Sequence, residues 1–337
     1  MRLAQRPVLA WSIAVAALLL VLLLAFTAGQ YPLTPGAVLR ALLAPSGLEA
    51  PMDEGATTVV WHIRLPRIAA GLVLGAVLGA AGAAYQNMFR NPLVSPDILG
   101  VSSGAGLGAA LAIFLGLPLL MVQGLAFAGG LAAVTFVYLL AGVVRRHDPV
   151  LVLVLAGVAV GALLGAGISL LKILADPYTQ LPSITFWLLG GLNAVAAGDL
   201  LAALPAMLLG LLPLALLRWR INLLSLGDEE AAALGVDVRR LRRLLITAAT
   251  LATAAAVSLA GIIGWVGLVV PHMARLLVGP EFSRLLPASL LLGAGFLVAT
   301  DTLARTVAAM ELPLGIVTAI VGAPVFLFLL ARAGQRP

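Results

Sequence analysis

Apolar residues in this chain come as near-continuous runs separated by short polar punctuation, rather than alternating or recurring on one helical face. A helix that crosses the hydrocarbon of a bilayer needs about 20 such residues. Runs of that order near 8–28, 66–88, 95–115, 120–143, 150–174, 198–217, 244–262, 263–279, 286–307 and 313–332 predict about ten membrane-spanning helices. The eighth is short and interrupted by Pro271. The first, apolar from Val8 to Phe26, is long for the core of a secretory signal and reads as a retained span. A strand-built outer-membrane barrel would show alternating segments of about ten residues, which this pattern excludes. No window has the length or polarity of a separate soluble unit, so residues 1–337 read as one all-helical integral membrane domain.

The polar punctuation orients these spans. With the N-terminus in the cytoplasm and the spans alternating, only Arg40, Arg64, Arg67, Lys172 and Arg305 of the 20 Lys and Arg fall outside. The rest fall on the cytoplasmic side, as the positive-inside bias requires, and both termini are then cytoplasmic. Asn91-Pro92-Leu93 and Ser95-Pro96-Asp97 predict a tight re-entry after the second span, because a proline disfavours helix at the residue before it. Pro177, Pro182 and Trp187 to Gly191 predict a short outer interfacial helix and turn, with Trp187 at the headgroup level.

Composition agrees with a lipid solvent: 62% of residues are hydrophobic and 10% charged, against about a quarter charged in soluble domains. The net charge of +6 is accounted for by the cytoplasmic arginines, so no nucleic-acid partner is inferred. Glycine, with 36 residues, forms three i, i+4, i+8 sets: Gly71, Gly75 and Gly79; Gly100, Gly104 and Gly108; Gly157, Gly161 and Gly165. Each set lines one side of a helix and admits a neighbouring backbone, either as static packing or as a moving seam beside a pathway.

Enzyme signatures are missing. There is no phosphate-binding Gly-x-x-x-x-Gly-Lys-Ser/Thr loop, and the single lysine is Lys172. Cysteine is absent, which removes thiol chemistry and Cys-ligated metals. His62, His147 and His272 lie far apart, without metal-ligand spacing, and read as interfacial histidines. No catalytic or metal-ligating set is predicted, and no cofactor on this chain. Mid-span ionisable residues are few, which disfavours a proton-coupled carrier. Asp301 is the exception, and Arg305 four residues later can pair with it on one helical face, as a local ion pair or at the outer mouth.

The longest cytoplasmic polar segment lies within the loop of about 218–243 and runs from Ser225 to Asp237. Asp228, Glu229 and Glu230 sit where a helix N-terminus favours negative charge. Gly235 stands where a left-handed cap is expected. Leu226, Ala231, Ala232 and Leu234 would give this short helix an apolar face, for a partner or for the membrane surface.

Several stretches carry a resemblance. Arg64-Leu-Pro-Arg67, QNMFRNPLVSPDILGVSSG (86–104), LGDEEAAALGV (226–236), GWVGLVVPH (264–272) and ELPLGIVTAIVGAP (311–324) together resemble the FecCD-type permease subunits of type II ABC importers, which carry iron–siderophore, haem or vitamin B12. The resemblance implies a homodimer around a central pathway in the bacterial inner membrane. It also implies two ATPase subunits holding ATP and Mg on the cytoplasmic side, and a periplasmic binding protein. It implies that Leu226, Gly227, Asp228, Glu229, Glu230, Ala231, Leu234 and Gly235 form the ATPase-coupling helix. It places Arg64, Arg67 and Arg305 where the binding protein docks, although Arg64 and Arg67 also read as snorkelling anchors at the interface. The turn with His147, Asp148 and Pro149 takes the place of the inner gate, and Gly161, Gly165 and Ser169 that of the pathway wall. A ferric siderophore is the first expectation for the cargo, then haem, then cobalamin, with oxyanions such as molybdate an exception among similar permeases. A stand-alone secondary carrier or channel is the alternative class.

Overall fold

The computed structural model describes residues 7–44, 54–143 and 149–333, and among these every regular element is a helix, without strands. Each of the ten apolar runs becomes a helix: α1 Pro7–Thr27, α4 Leu65–Met88, α5 Val101–Phe114, α6 Leu119–Val143, α7 Pro149–Leu174, α9 Ala197–Leu216, α12 Val238–Ala260, α13 Val266–Val278, α14 Phe282–Ala304 and α15 Leu314–Ala333. Seven stretches are long and apolar enough to cross a membrane, while α5, α13 and the apolar part of α15 are shorter. The run at 95–115 is shortened because Pro96–Leu99 forms a 3-10 turn ending on Gly100, whose φ of +81° restarts the chain as α5. Short helices fill the punctuation: α2 Pro35–Leu43, α3 Glu54–Thr58, α8 Gln180–Leu189, α10 Arg218–Leu224 and α11 Asp228–Ala233.

Burial separates a centre from a rim. In the apolar windows of α4 and α12, 78% of residues are buried, against 17% in α1 and α7. α4 lies against α12, α13 and α14, while α5 sits between α6 and α7 and α9 flanks α12. Small side chains explain the depth of α4: Ala80, Ala81, Ala83 and Ala84 are at most 1% exposed. At the α4–α14 crossing, Gly75 and Gly293 meet backbone to backbone. Gly79 meets the Ser289 carbonyl, and Gly71 the Val298 side chain. Gly104 and Gly108 admit the Gly129 and Leu125 carbonyls of α6 in the same way. The first set therefore packs along its whole length, and the second through Gly104 and Gly108. The third set divides: a Cβ on Gly157 would lie 2.0 Å from the Ile98 carbonyl, while Gly165 has open space.

A second junction has no periodic signal. The Gly190 carbonyl, at the end of α8, accepts from the Leu314 amide at 2.9 Å, and the Gly191 amide donates to the Ala260 carbonyl at 2.8 Å. The ends of α8 and α12 and the start of α15 are thus tied through main chain. α8 is itself set by Asp176, whose carboxylate accepts the Thr179 hydroxyl and the Tyr178 and Thr179 amides. These bonds, the Thr179 hydroxyl first, hold the Asp176 carboxyl below the usual carboxylate range.

Candidate functional site

The polar segment after α9 folds as predicted at its ends and differs at its centre. α11 is only six residues long, too short to persist alone. It is held by a paired cap in which the Gly235 amide donates to the Ala232 carbonyl and the Val236 amide to the Ala231 carbonyl, with Gly235 at φ +83°. Asp228 pairs with Arg242 of α12 at 2.9 Å and approaches Arg90, just past α4, at 3.9 Å. Ala231 is fully buried against the main core, and Gly227 is buried as well. The predicted apolar face is corrected at Ala231, which points into the bundle because the Asp228–Arg242 pair fixes the roll of the helix. α11 leaves Glu229, Glu230, Ala232 and Ala233 exposed, flanked by Leu226 at 57% and Leu234 at 59% exposure.

At the far end of α4 lies a charge cluster. Arg67 donates through Nε to both oxygens of Asp301 at 3.0 and 3.1 Å, and through Nη1 to both oxygens of Glu311 at 2.9 Å. Arg305 stands 3.6 Å from Asp301 and donates to the Ala25 and Ala28 carbonyls that end α1. Arg64 donates to the Phe26 and Tyr31 carbonyls and is 4% exposed. It is buried because helix continues back through a π-helical turn, Val59–Arg64, ahead of the span predicted from 66. Neither Arg64 nor Arg305 is a free surface cation: each supplies donors to carbonyls left open at the end of α1. Asp301 is 3% exposed, so removing it takes the buried carboxylate from both Arg67 and Arg305, a change that costs about 3–5 kcal/mol in a buried pair and less where, as here, Glu311 and the α1 carbonyls remain as acceptors. A polar cleft opens beside this cluster, lined by Arg67, Asn193, Asp301 and Glu311.

The two sites sit at opposite ends of one helix. α4 has 24 residues, about 36 Å of rise, slightly more than the hydrocarbon core. Gln86, in the sequence motif but without a predicted role, braces the α11 end of α4. Its amide donates to the Leu268 carbonyl of α13, and its oxygen accepts from Arg275 at 2.5 Å. His272 is buried against Phe326 rather than interfacial, since α13 is short and lies under α15. Among the pathway candidates, His147 and Asp148 lie outside the described residues, and Pro149 opens α7. Gly161 and Gly165 lie on the loosely packed side of α7, and Ser169, exposed, donates to the Gly165 carbonyl at 3.0 Å. No group of three or more His, Cys, Asp or Glu suited to a metal occurs among the described residues.

A glycine-packed helical bundle with seven stretches long and apolar enough to cross a membrane marks a multi-pass membrane protein. The FecCD transport family matches residues 17–332, and the chain belongs to that family. The cobalamin import system permease protein of Halobacterium salinarum is 42% identical over 98% of each chain. The molybdate import system permease protein of Haemophilus influenzae is 39% identical over 94% of this chain and 96% of that one. An inward-facing structure of a metal-chelate type ABC transporter superposes with a TM-score of 0.86 at 35% identity, covering 97% of this chain and 99% of the other.

Proposed function

We propose that this protein is the membrane permease of an ATP-driven importer, working as a homodimer that passes a metal chelate from a periplasmic binding protein to the cytoplasm by alternating access. The observation that carries the reading is the polarity of α4, with a partnered arginine cluster at one end and an exposed acidic helix at the other. The family resemblance gives each end its partner. α11 presents Glu229, Glu230, Leu226 and Leu234 to an ATPase subunit, which holds the ATP and Mg, while Asp228 and Ala231 couple it to α12 and the core. At the other end Glu311 has a 42% exposed side chain, so Arg67 is the arginine whose partner an incoming carboxylate can displace. Arg64 and Arg305 hold the docking platform by tying α1 to α14.

In this reading the chain has ten spans with both termini cytoplasmic, in the bacterial inner membrane, and forms a single domain without a cofactor of its own. The open side of α7 at Gly161, Gly165 and Ser169 faces the partner protomer and the pathway. A conformational switch requires that nucleotide on the ATPase favour one arrangement of α11 over another. The metal-chelate structural neighbour and the cobalamin relative support a chelate as cargo, with a ferric siderophore first, then haem, then cobalamin.

Reconstitution tests the reading. Proteoliposomes containing this chain, its ATPase and its binding protein are expected to accumulate a ferric siderophore, haem or cobalamin only with internal ATP. Molybdate serves as the oxyanion comparison. Uptake by the chain alone, driven by an ion gradient, would identify a secondary carrier and overturn the proposal.

A further inference from the structure

One groove shares no lining residue with either site. It runs between α6 and α12 and holds about 190 Å³, more than the roughly 150 Å³ that admits a benzene-sized ligand in an apolar cavity. Its wall on α6 is Leu131, Thr135 and Tyr138, and on α12 Arg243, Thr247 and Thr250. These positions recur at three- and four-residue intervals, so each helix contributes one continuous face. Seven residues separate Arg243 from Thr250, about 10 Å of helix, which is most of one leaflet's hydrocarbon depth.

Charge is confined to one end of it. Arg243 and Tyr138 stand at the end toward the start of α12 and the end of α6, and the opposite end is lined by Leu131, Val134 and Thr250. The arginines at the start of α12 also divide in two. Arg240 pairs with Asp237, and Arg242 with Asp228. Arg239 and Arg243, four residues apart on one helical face, are exposed and have no carboxylate partner among the described residues. The Thr135 hydroxyl is satisfied by the Leu131 carbonyl and Thr250 by Tyr85. The Tyr138 and Thr247 hydroxyls have no protein partner among the described residues.

We propose that this groove is a binding site for an anionic phospholipid of the cytoplasmic leaflet, with one acyl chain between α6 and α12 and the phosphate held by Arg239 and Arg243. Charge complementarity selects the occupant: a neutral lipid would fill the apolar wall but leave two unpaired guanidiniums on one face. Arginine bridges these two environments, because its stem packs along apolar surface while its head reaches the interface. Basic pockets between spans on the cytoplasmic side suit such headgroups. The inference rests on the orientation proposed above, which puts the start of α12 in the cytoplasm, and is independent of the cargo.

The test uses the purified full chain in bilayer discs of phosphatidylcholine with a minor fraction of phosphatidylglycerol, followed by native mass spectrometry of the lipid retained. Phosphatidylglycerol is expected to be enriched over its share of the bilayer. Arg239→Gln with Arg243→Gln is expected to lower that enrichment by about thirtyfold, the attraction of two juxtamembrane arginines for an anionic surface. Thr135→Trp, which fills the groove and leaves both charges, is expected to lower it as well, and Arg40→Gln to leave it unchanged. Inorganic phosphate should not compete, since it lacks the chain. Equal retention of the two lipids, retention unaffected by the groove-filling variant, or displacement by inorganic phosphate would each overturn the site. Loss of ATPase copurification in the double arginine variant with lipid retention intact would assign the pair to a protein contact instead.

Discussion

Gly75→Ala is expected to lower the melting temperature sharply and to leave little of the chain as a monodisperse species in detergent. A methyl at Gly75 would sit 2.2 Å from the carbonyl oxygen of Gly293 and 2.7 Å from the Leu297 Cβ. Gly293 is constrained reciprocally, because a Cβ there would lie 2.2 Å from the Gly75 carbonyl. These obstacles are main chain and a Cβ, so no rotamer change relieves them, and α4 and α14 must separate. Overpacking a core costs about 1–3 kcal/mol, and occasionally more where backbone must move. The expected loss lies at the upper end of that range, because this crossing carries the central helix. In a bilayer, close backbone approach is itself a main source of association, since lipid tails are as apolar as leucine. Gly124→Ala on α6 provides the comparison: nothing lies within 4 Å, so the same change should be neutral or slightly stabilising in thermal unfolding. Equal melting of the two variants would show that the glycine seam does not determine the packing.

Reversing Glu229 and Glu230 together to arginine is expected to abolish ATP-dependent uptake while leaving the folded permease intact. The two carboxylates are exposed and make no ion pair among the described residues. They are therefore not what holds α11 in place. That task falls to the Asp228–Arg242 pair, buried Ala231 and the Gly235 cap. Reversal at the N-terminus of α11 opposes the helix dipole by about 0.3–1 kcal/mol per charge, too little to detach a helix anchored in this way. Across an interface the effect is larger: disrupting one close charge pair costs about 2–5 kcal/mol, or roughly thirtyfold to several thousandfold in affinity. Copurification of the ATPase should fall by at least that lower factor, with the melting temperature nearly unchanged. Normal copurification and uptake by the double variant would remove α11 from the coupling role.

The contrast between local and distant signals explains how far the sequence could be read. Each long apolar run became a helix because twenty consecutive apolar residues leave the backbone few other ways to satisfy its hydrogen bonds in lipid. The start and stop of α11 were legible because Asp228 and Gly235 act within one turn of themselves. Asp301 and Arg305 were legible as a pair because four residues separate them. The stronger partner of Asp301 is Arg67, 234 positions away, and no local pattern announces it. Arg64 reads from the sequence as a docking residue or snorkelling anchor at the interface, because its burial depends on the π-helical turn and on an α1 carbonyl nearly forty residues back. Ala231 was placed on the wrong side of α11 because the roll of that helix is set by Arg242, in the next helix. The i, i+4, i+8 glycines announced close approach without saying which set would find a neighbour. The union of Gly190, Ala260 and Leu314 through main-chain bonds follows from tertiary placement alone.

The account stands on α11 lying in the cytoplasm against an ATPase. Because the chain contains no cysteine, Leu234→Cys introduces a single thiol at a 59% exposed position of that segment. A membrane-impermeant maleimide should label it in inverted vesicles, and co-expressed ATPase should protect it. Labelling in right-side-out cells would contradict the account.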